Sequence, residues 1–95
     1  MLVQWSNRAQ EDMAHIVAYI AEDNPDAAER MEERIYRATA LLTEQPGMGR
    51  SGHVDGTREL VIGGTSYIVP YRVRGHAVEI VAVMHAAQQW PKDFD

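Results

Sequence analysis

The stretch TRELVIGGTSYIVPYRVRGHAVEIVAVMH, residues 57–85, decides the fold. It breaks into three runs rich in Val, Ile and Tyr: TRELVI at 57–62, SYIVPYRV at 66–73 and HAVEIVAVMH at 76–85. Runs of this composition, bounded by turn residues, predict strands. GGT at 63–65 and RG at 74–75 supply the turns, so the three strands follow one another as hairpins. Along the third, Val78, Ile80, Ala82 and Met84 alternate with Glu79, Val81, Val83 and His85. Apolar residues on both faces predict a central or doubly covered strand. Pro70 has no N–H to give a ladder, which predicts an edge position or a bulge there. Tyr67 and Tyr71 fall on one face with Val69 and Val73; they read as core, or as a stacking platform on an open sheet.

Upstream the period changes. LVQW at 2–5 reads as a short strand and Ser6 as the N-cap of a helix. Ala9, Met13, Ile16, Val17 and Ile20 fit one face of that helix. Asn24 and Pro25 form a cap and first position for a second helix, with Asp26 and Glu29 near its positive end. Ala28, Met31, Ile35, Ala38 and Leu42 give it the clearest periodicity in the chain, and QPGMG at 45–49 stops it. The connection between the helices is short enough to demand an antiparallel pair. The expected order is β-α-α-β-β-β in one domain over 1–95: an α+β fold with a helical hairpin packed on a mainly antiparallel sheet.

Composition narrows the function. The chain is 45% hydrophobic and 24% charged, with no cysteine, so disulfide staples and cysteine-based metal sites are excluded. No apolar run approaches the roughly 20 residues a membrane helix needs. MLVQWSNRAQ lacks the basic start and apolar stretch of a signal peptide, which predicts a cytoplasmic protein. The net charge is −5 and unevenly spread. Residues 1–45 carry four arginines against nine carboxylates, whereas residues 46–85 carry Arg50, Arg58, Arg72 and Arg74 against three. A protein that grips phosphates should be basic, so strong direct nucleic-acid binding is not expected. The acidic helix faces read as solvated surface, or as a surface that favours a basic protein partner.

Several residues are candidates for chemistry. Arg50, His53 and Arg58 sit in a segment containing Gly47, Gly49, Gly52 and Gly56. They read either as cations presented by a mobile loop or as parts of a solvated connector. The segment lacks the pattern of a phosphate-cradling loop, and a helix precedes it rather than follows it. His85 can serve as a general acid or base, or can cap a strand end with a ring hydrogen bond. Arg72 faces an open sheet side or pairs with Glu79 or Glu59 across strands. Trp90 and Phe94 flank Pro91 and read as docking the tail or forming an interface. The four histidines show no metal-ligand spacing, and neither metal nor cofactor is expected.

Five segments in order carry a family resemblance: VQWSNRAQEDM, LLTEQPGMGR, GTRELVI, YIVPYRV and VEIVAVMHAAQQWP. Together they resemble the ParE/RelE superfamily of bacterial type II toxins over nearly the whole chain. The resemblance implies the same β-α-α-β-β-β order and a small cytoplasmic toxin neutralised by a cognate antitoxin, free as a homodimer or assembled into a heterotetramer. RelE-like members cleave mRNA on the ribosome; ParE-like members poison DNA gyrase and block replication, and the type is associated with plasmid stabilisation. RelE-type ribonucleases place an arginine in the middle strand where this chain has Ile68. Such enzymes also supply several lysines and arginines for RNA, whereas this chain has a single lysine, Lys92. The GR at 49–50, TRELVI at 57–62 and MHAAQQW at 84–90 look more like the ParE branch.

The expectation is therefore a gyrase-binding toxin rather than an enzyme, with Arg50, Arg58, Arg72, His85 and Trp90 as target contacts. The alternative is a ribosome-dependent endoribonuclease drawing on Arg50, His53, Arg58, Arg72 and His85. A third is a non-toxic binding module. The sequence leaves open whether the arginines and His85 meet in space.

Overall fold

The computed structural model describes residues 1–94. Strand β1 (Leu2–Trp5) is followed by helices α1 (Asn7–Ala21) and α2 (Pro25–Ala40) and a 3₁₀ turn at Leu41–Thr43. Then come β2 (Arg50–Ser51), β3 (Arg58–Val61), β4 (Tyr67–Arg74), β5 (Ala77–Ile80) and β6 (Met84–His85). The sheet order is β1-β5-β4-β3-β2, with β6 also pairing β4. β1 runs parallel to β5 and every other pair is antiparallel. The expected α+β architecture is present, with one added edge strand, β2, and with the last strand in two pieces.

The helices start where the caps predict. The Ser6 hydroxyl accepts from the Ala9 N–H at 3.0 Å, and the Asn24 side chain accepts from the Ala27 N–H at 3.0 Å. Their apolar stripes, Ala9 and Met13 on α1 and Ile35 on α2, pack with Leu42 against one face of the sheet. That face carries Leu60, Val69, Tyr71, Val78 and Ile80, all buried. Tyr71 is fully buried, so Tyr67, Val69 and Tyr71 belong to the core side rather than to an open stacking platform.

The sequence predicts HAVEIVAVMH as one strand; a bulge opposite Pro70 divides it in two. Tyr71 opposes Ile80, whereas Ile68 opposes Met84. Val69 and Pro70 therefore face three residues, Val81, Ala82 and Val83, and the extra one makes a bulge. The Val81 N–H donates to the Pro70 carbonyl at 3.0 Å. In a strand the nitrogen of a residue points to the same side as its carbonyl, so the proline nitrogen, with no hydrogen to give, faces this gap. Pro70 thus sits in a central, buried strand, and the bulge rather than an edge position accommodates it.

The bulge also changes which residues share a face. Val83 joins Val78 and Ile80 in the core, and His85 lies opposite Tyr67. The unbroken alternation of Val78, Ile80, Ala82 and Met84 does not survive past Ile80. The backbone groups loosened by the bulge are taken up by α1: the Ser6 hydroxyl donates to the Val81 carbonyl at 3.1 Å, and the Asp12 carboxylate accepts from the Val83 N–H at 2.9 Å. Asp12 is therefore a structural acceptor and not merely part of a solvated acidic face.

Candidate functional site

The face of the sheet away from the helices holds the densest polar cluster. Arg50 opposes Glu59 across β2 and β3, and Glu59 opposes Pro70 across β3 and β4. The Glu59 side chain is fully buried, with 0% exposure. One carboxylate oxygen accepts from Arg50 Nε at 3.1 Å. The other accepts from the His53 backbone N–H at 2.6 Å and lies 2.7 Å from His53 Nδ1. Burial alone would raise the Glu59 pKa, but the three hydrogen bonds from His53 and Arg50, with the charge His53 can carry, outweigh it and hold the value below the ordinary one.

The loop between β2 and β3 is built to deliver His53. The Gly52 N–H donates to the Thr57 carbonyl at 3.0 Å, and the Thr57 N–H and hydroxyl both donate to the Val54 carbonyl, at 3.1 and 2.6 Å. Val54 is buried beneath. A β-carbon on Gly52 would stand 2.2 Å from the Thr57 hydroxyl and 2.9 Å from its carbonyl oxygen, so the close approach requires glycine. The sequence offered a mobile loop or a solvated connector; this one is folded tightly on itself.

The segment after β6 returns to this loop. The Trp90 ring stacks on His53, with centroids 4.7 Å apart and planes 21° off parallel. Phe94 lies beneath the Arg8 guanidinium of α1 at 5.2 Å. Trp90 and Phe94 both hold the tail against the domain, one of the two roles read from their place around Pro91. Trp90, His53, Glu59 and Arg50 form one continuous chain of contacts drawn from the tail, the loop, β3 and β2.

The remaining candidates lie elsewhere. Arg58 shares the helix side with its partner Tyr71, and its guanidinium donates to the carbonyls of Gly47 and Gly49 at 3.3 and 2.8 Å. The Tyr71 hydroxyl ties the same turn, accepting from the Gly49 N–H and donating to the Pro46 carbonyl, both at 2.8 Å. Arg72 is on the Glu59 side, but register gives it Glu79, at 2.7 Å, rather than Glu59. His85 opposes Tyr67 at the far end of β4, about 13 Å along the strand from Tyr71 at roughly 3.3 Å per residue. Its ring meets Tyr67 edge-on at 5.6 Å and accepts from the Ala87 N–H at 3.1 Å, the strand-end cap the sequence allowed. His85 also lines an open groove of about 450 Å³ with Asp12, His15 and Tyr19 of α1. The structure thus brings Arg50, His53 and Trp90 together and leaves Arg58, Arg72 and His85 apart.

Glu59, the residue that joins them, was missed as a site. In TRELVI it reads as the outward polar residue of an alternating strand. The one signal was a carboxylate followed by an apolar pair in a strand flanked by Arg50 and His53. Its burial depends on a loop folding over it, which alternation alone does not reveal.

The same scaffold occurs in known proteins. Residues 3–90 match the family model for the ParE toxin of type II toxin–antitoxin system, parDE. This chain belongs to the ParE toxin family. It is 48% identical over 90 residues to Y4kP of Sinorhizobium fredii, covering 95% of this chain and 93% of the relative. It is 38% identical to toxin RelE2 of Caulobacter vibrioides over 86 residues, covering 90% and 96% of the two chains. Toxin RelE1 of the same organism is 34% identical over 86 residues, with 88% and 91% covered. A solved structure described as the chromosomal ParDE TA system from P. aeruginosa superposes with a TM-score of 0.81 at 25% identity, over 90% of this chain and 95% of that one. The chain is thus a type II toxin of the ParE/RelE superfamily, a class that implies an antitoxin partner. Among the described residues no helix is long and apolar enough to cross a membrane.

Proposed function

We propose that this ParE-family chain is a cytoplasmic toxin that arrests growth by binding DNA gyrase. The observation that supports binding over catalysis is the middle of β4. Ile68, where the RelE-type ribonucleases resembled in sequence carry an arginine, is buried against Met84. The nearby cations are already engaged by separate acceptors: Arg50 by Glu59, Arg58 by the turn carbonyls, Arg72 by Glu79. RNA cleavage needs a base, an acid and cations aimed at one developing phosphorane, and these side chains do not converge on one point. Target contact is assigned to the Arg50–Trp90 side, where Arg72 shares the sheet face; Arg58 and His85, on the helix side, fall outside it. A supercoiling assay with purified toxin tests this reading. Inhibition or stabilised DNA cleavage is expected; neither, at excess toxin, defeats it.

The names of the two Caulobacter relatives keep the ribonuclease reading alive, with Arg50, His53, Arg58, Arg72 and His85 as its candidates. Incubation with translating ribosomes decides it, since intact message rules cleavage out. Expression without effect on growth would instead favour a non-toxic binding module.

The antitoxin is assigned to the other side of the molecule. Among the described residues β1 pairs with β5 alone, which leaves its other strand edge without a ladder partner there. A groove of about 370 Å³ beside it is lined by Leu2, Trp5 and Tyr36. An amphipathic segment fits such a place by adding a strand or laying an apolar face into the groove. Co-purification with the neighbouring reading frame tests it. Wild-type capture that Leu2→Asp with Tyr36→Asp leaves intact would count against this location.

A further inference from the structure

We infer that Glu59 is a positioning residue that assembles the target-binding surface from three separate segments, and that this surface receives a carboxylate-bearing segment of the target protein on Arg50, beside the stacked His53–Trp90 pair. The inference rests on the target-binding reading above and adds to it the residue that builds the surface and the chemistry it takes.

The geometry runs outward from the carboxylate. Glu59 is held by β3 with no side-chain freedom, since it is fully buried between the loop and the sheet. One oxygen fixes Arg50 and the other fixes both the backbone and the ring of His53. The His53 ring is more than half exposed, at 57%, and its hydrogen bond to Glu59 anchors it on the protein side. Trp90 then lies on that ring. Removing the carboxylate frees the imidazole, and with it the one ring contact Trp90 makes among the described residues.

The chemistry of the partner follows from Arg50. Its side chain is 54% exposed and bonds Glu59 through Nε alone. The two terminal NH₂ groups of the guanidinium remain as a planar fork, which matches a carboxylate with two parallel bonds. Beside the fork is a flat aromatic face, the type of rigid surface that anchors protein interfaces. A cation fork next to an aromatic platform suits an acidic segment with an apolar neighbour. An overall charge of −5 disfavours extended contact with a phosphate backbone.

The test uses the full chain with Glu59→Gln, His53→Ala and Trp90→Ala, singly and as the Glu59→Gln/Trp90→Ala double variant. Folding is checked by thermal melting. The chain has two tryptophans, Trp5 and Trp90, so the Trp90 indole N–H resonance is assigned by its loss in Trp90→Ala. In Glu59→Gln and His53→Ala that resonance should move to a solvent-like position. Gyrase inhibition and growth arrest should each fall about tenfold, the size of one lost interface contact. The double variant should lose less than the product of the two single losses, because the part carried through His53 and Trp90 is shared and only the part carried through Arg50 is separate. A Trp90 resonance unmoved in folded Glu59→Gln, or losses that multiply in the double variant, overturns the positioning role. If Glu59→Gln fails to fold, His53→Ala carries the same readouts with the carboxylate in place. Growth arrest that follows this pattern while gyrase is untouched sustains the positioning role and defeats only the gyrase reading.

Arg50→Lys tests the fork. It keeps the charge but cannot make two parallel bonds, so it should lose activity as fully as Arg50→Gln. Full activity in Arg50→Lys overturns the carboxylate assignment. So does tight binding of a single-stranded oligoribonucleotide that Arg50→Lys abolishes.

Discussion

The two faces of the sheet are held by different physics. The helix side is a continuous apolar layer in which Ile35, Leu42, Tyr71, Val78 and Ile80 are fully buried. The opposite side centres on a buried carboxylate, satisfied by a loop and a guanidinium rather than by a helix. Burial of apolar area is non-directional and tolerant of small shifts. A buried carboxylate is not: each oxygen needs donors at fixed positions, and losing them costs the full desolvation of the group. One face supplies stability and the other supplies placement. The surface proposed for target contact grows from the second.

Substitutions on the helix side should therefore have the largest effect on stability. Tyr71→Ala removes a fully buried ring and the two hydrogen bonds its hydroxyl makes to the 46–49 turn, leaving only those from Arg58 to hold the turn to the sheet among the bonds described. It should cost about 3–5 kcal/mol, and in a domain this small that leaves little folded protein. Tyr71→Phe isolates the hydroxyl, which leaves the Gly49 N–H without its acceptor, at about 1–2 kcal/mol. Urea titration of both variants separates ring from hydroxyl.

Gly49 lies where the two faces meet, and its substitution ranks next. A β-carbon there would stand 2.6 Å from the Tyr71 ring and hydroxyl and 2.9 Å from the Glu59 carbonyl oxygen. The ring is fully packed and the carbonyl is backbone, so neither can yield cheaply. Gly49→Ala should cost about 1–3 kcal/mol, in the range of an overpacked core. A denaturation midpoint equal to wild type would show that the two faces are not in rigid contact at this point.

The Glu59 face should show itself in pH rather than in size. Its pKa is lowered in the folded state, so the carboxylate contributes stability that is fully present above its unfolded value. That contribution is lost as the pH falls through the folded value. Glu59→Gln should cost about 1–2 kcal/mol at neutral pH, because Arg50 and His53 are exposed enough to regain water. Below the ordinary carboxylate range the variant and wild type should converge. Denaturation curves at neutral and strongly acid pH check this, and a constant gap between the two proteins would contradict it.

The unequal legibility of the two faces has the same origin. The helix side repeats locally: Ala28, Met31, Ile35, Ala38 and Leu42 announce a helix without knowledge of anything distant, and Tyr67, Val69 and Tyr71 announce a strand face. Ser6 and Asn24 cap where their chemistry requires. The other face depends on contacts remote in sequence. Glu59 meets His53 through a folded loop, and His53 meets Trp90 from 37 positions further along the chain. No period encodes such a meeting. Arg50 and Arg58 look like a pair in the sequence, yet strand register sends them to opposite faces. The bulge was half legible: Pro70 announced that something must interrupt the ladder, but not that the neighbouring strand would absorb it.

That last point gives the smallest and sharpest test. Pro70 lacks the N–H that would face Val81–Val83, and the neighbouring strand carries an extra residue there. Either proline forces the bulge or the bulge merely tolerates proline. The Val81 carbonyl and the Val83 N–H are already bound by Ser6 and Asp12, which favours a bulge fixed from the α1 side. Pro70→Ala should then change stability by less than about 1 kcal/mol, through lost stiffness in the unfolded chain and one N–H added to the gap. His85 should stay opposite Tyr67, and their edge-on contact should still shift ring resonances in an NMR spectrum. If proline instead dictates the register, its removal lets β5 run on, and every side chain from Val81 onward exchanges faces. His85 would then leave Tyr67, Val83 would leave the core, and the loss would far exceed 1 kcal/mol. A small change with the ring contact intact places control of the bulge in α1. It would mean that the helix-covered face, through Ser6 and Asp12, also sets where the segment carrying Trp90 begins.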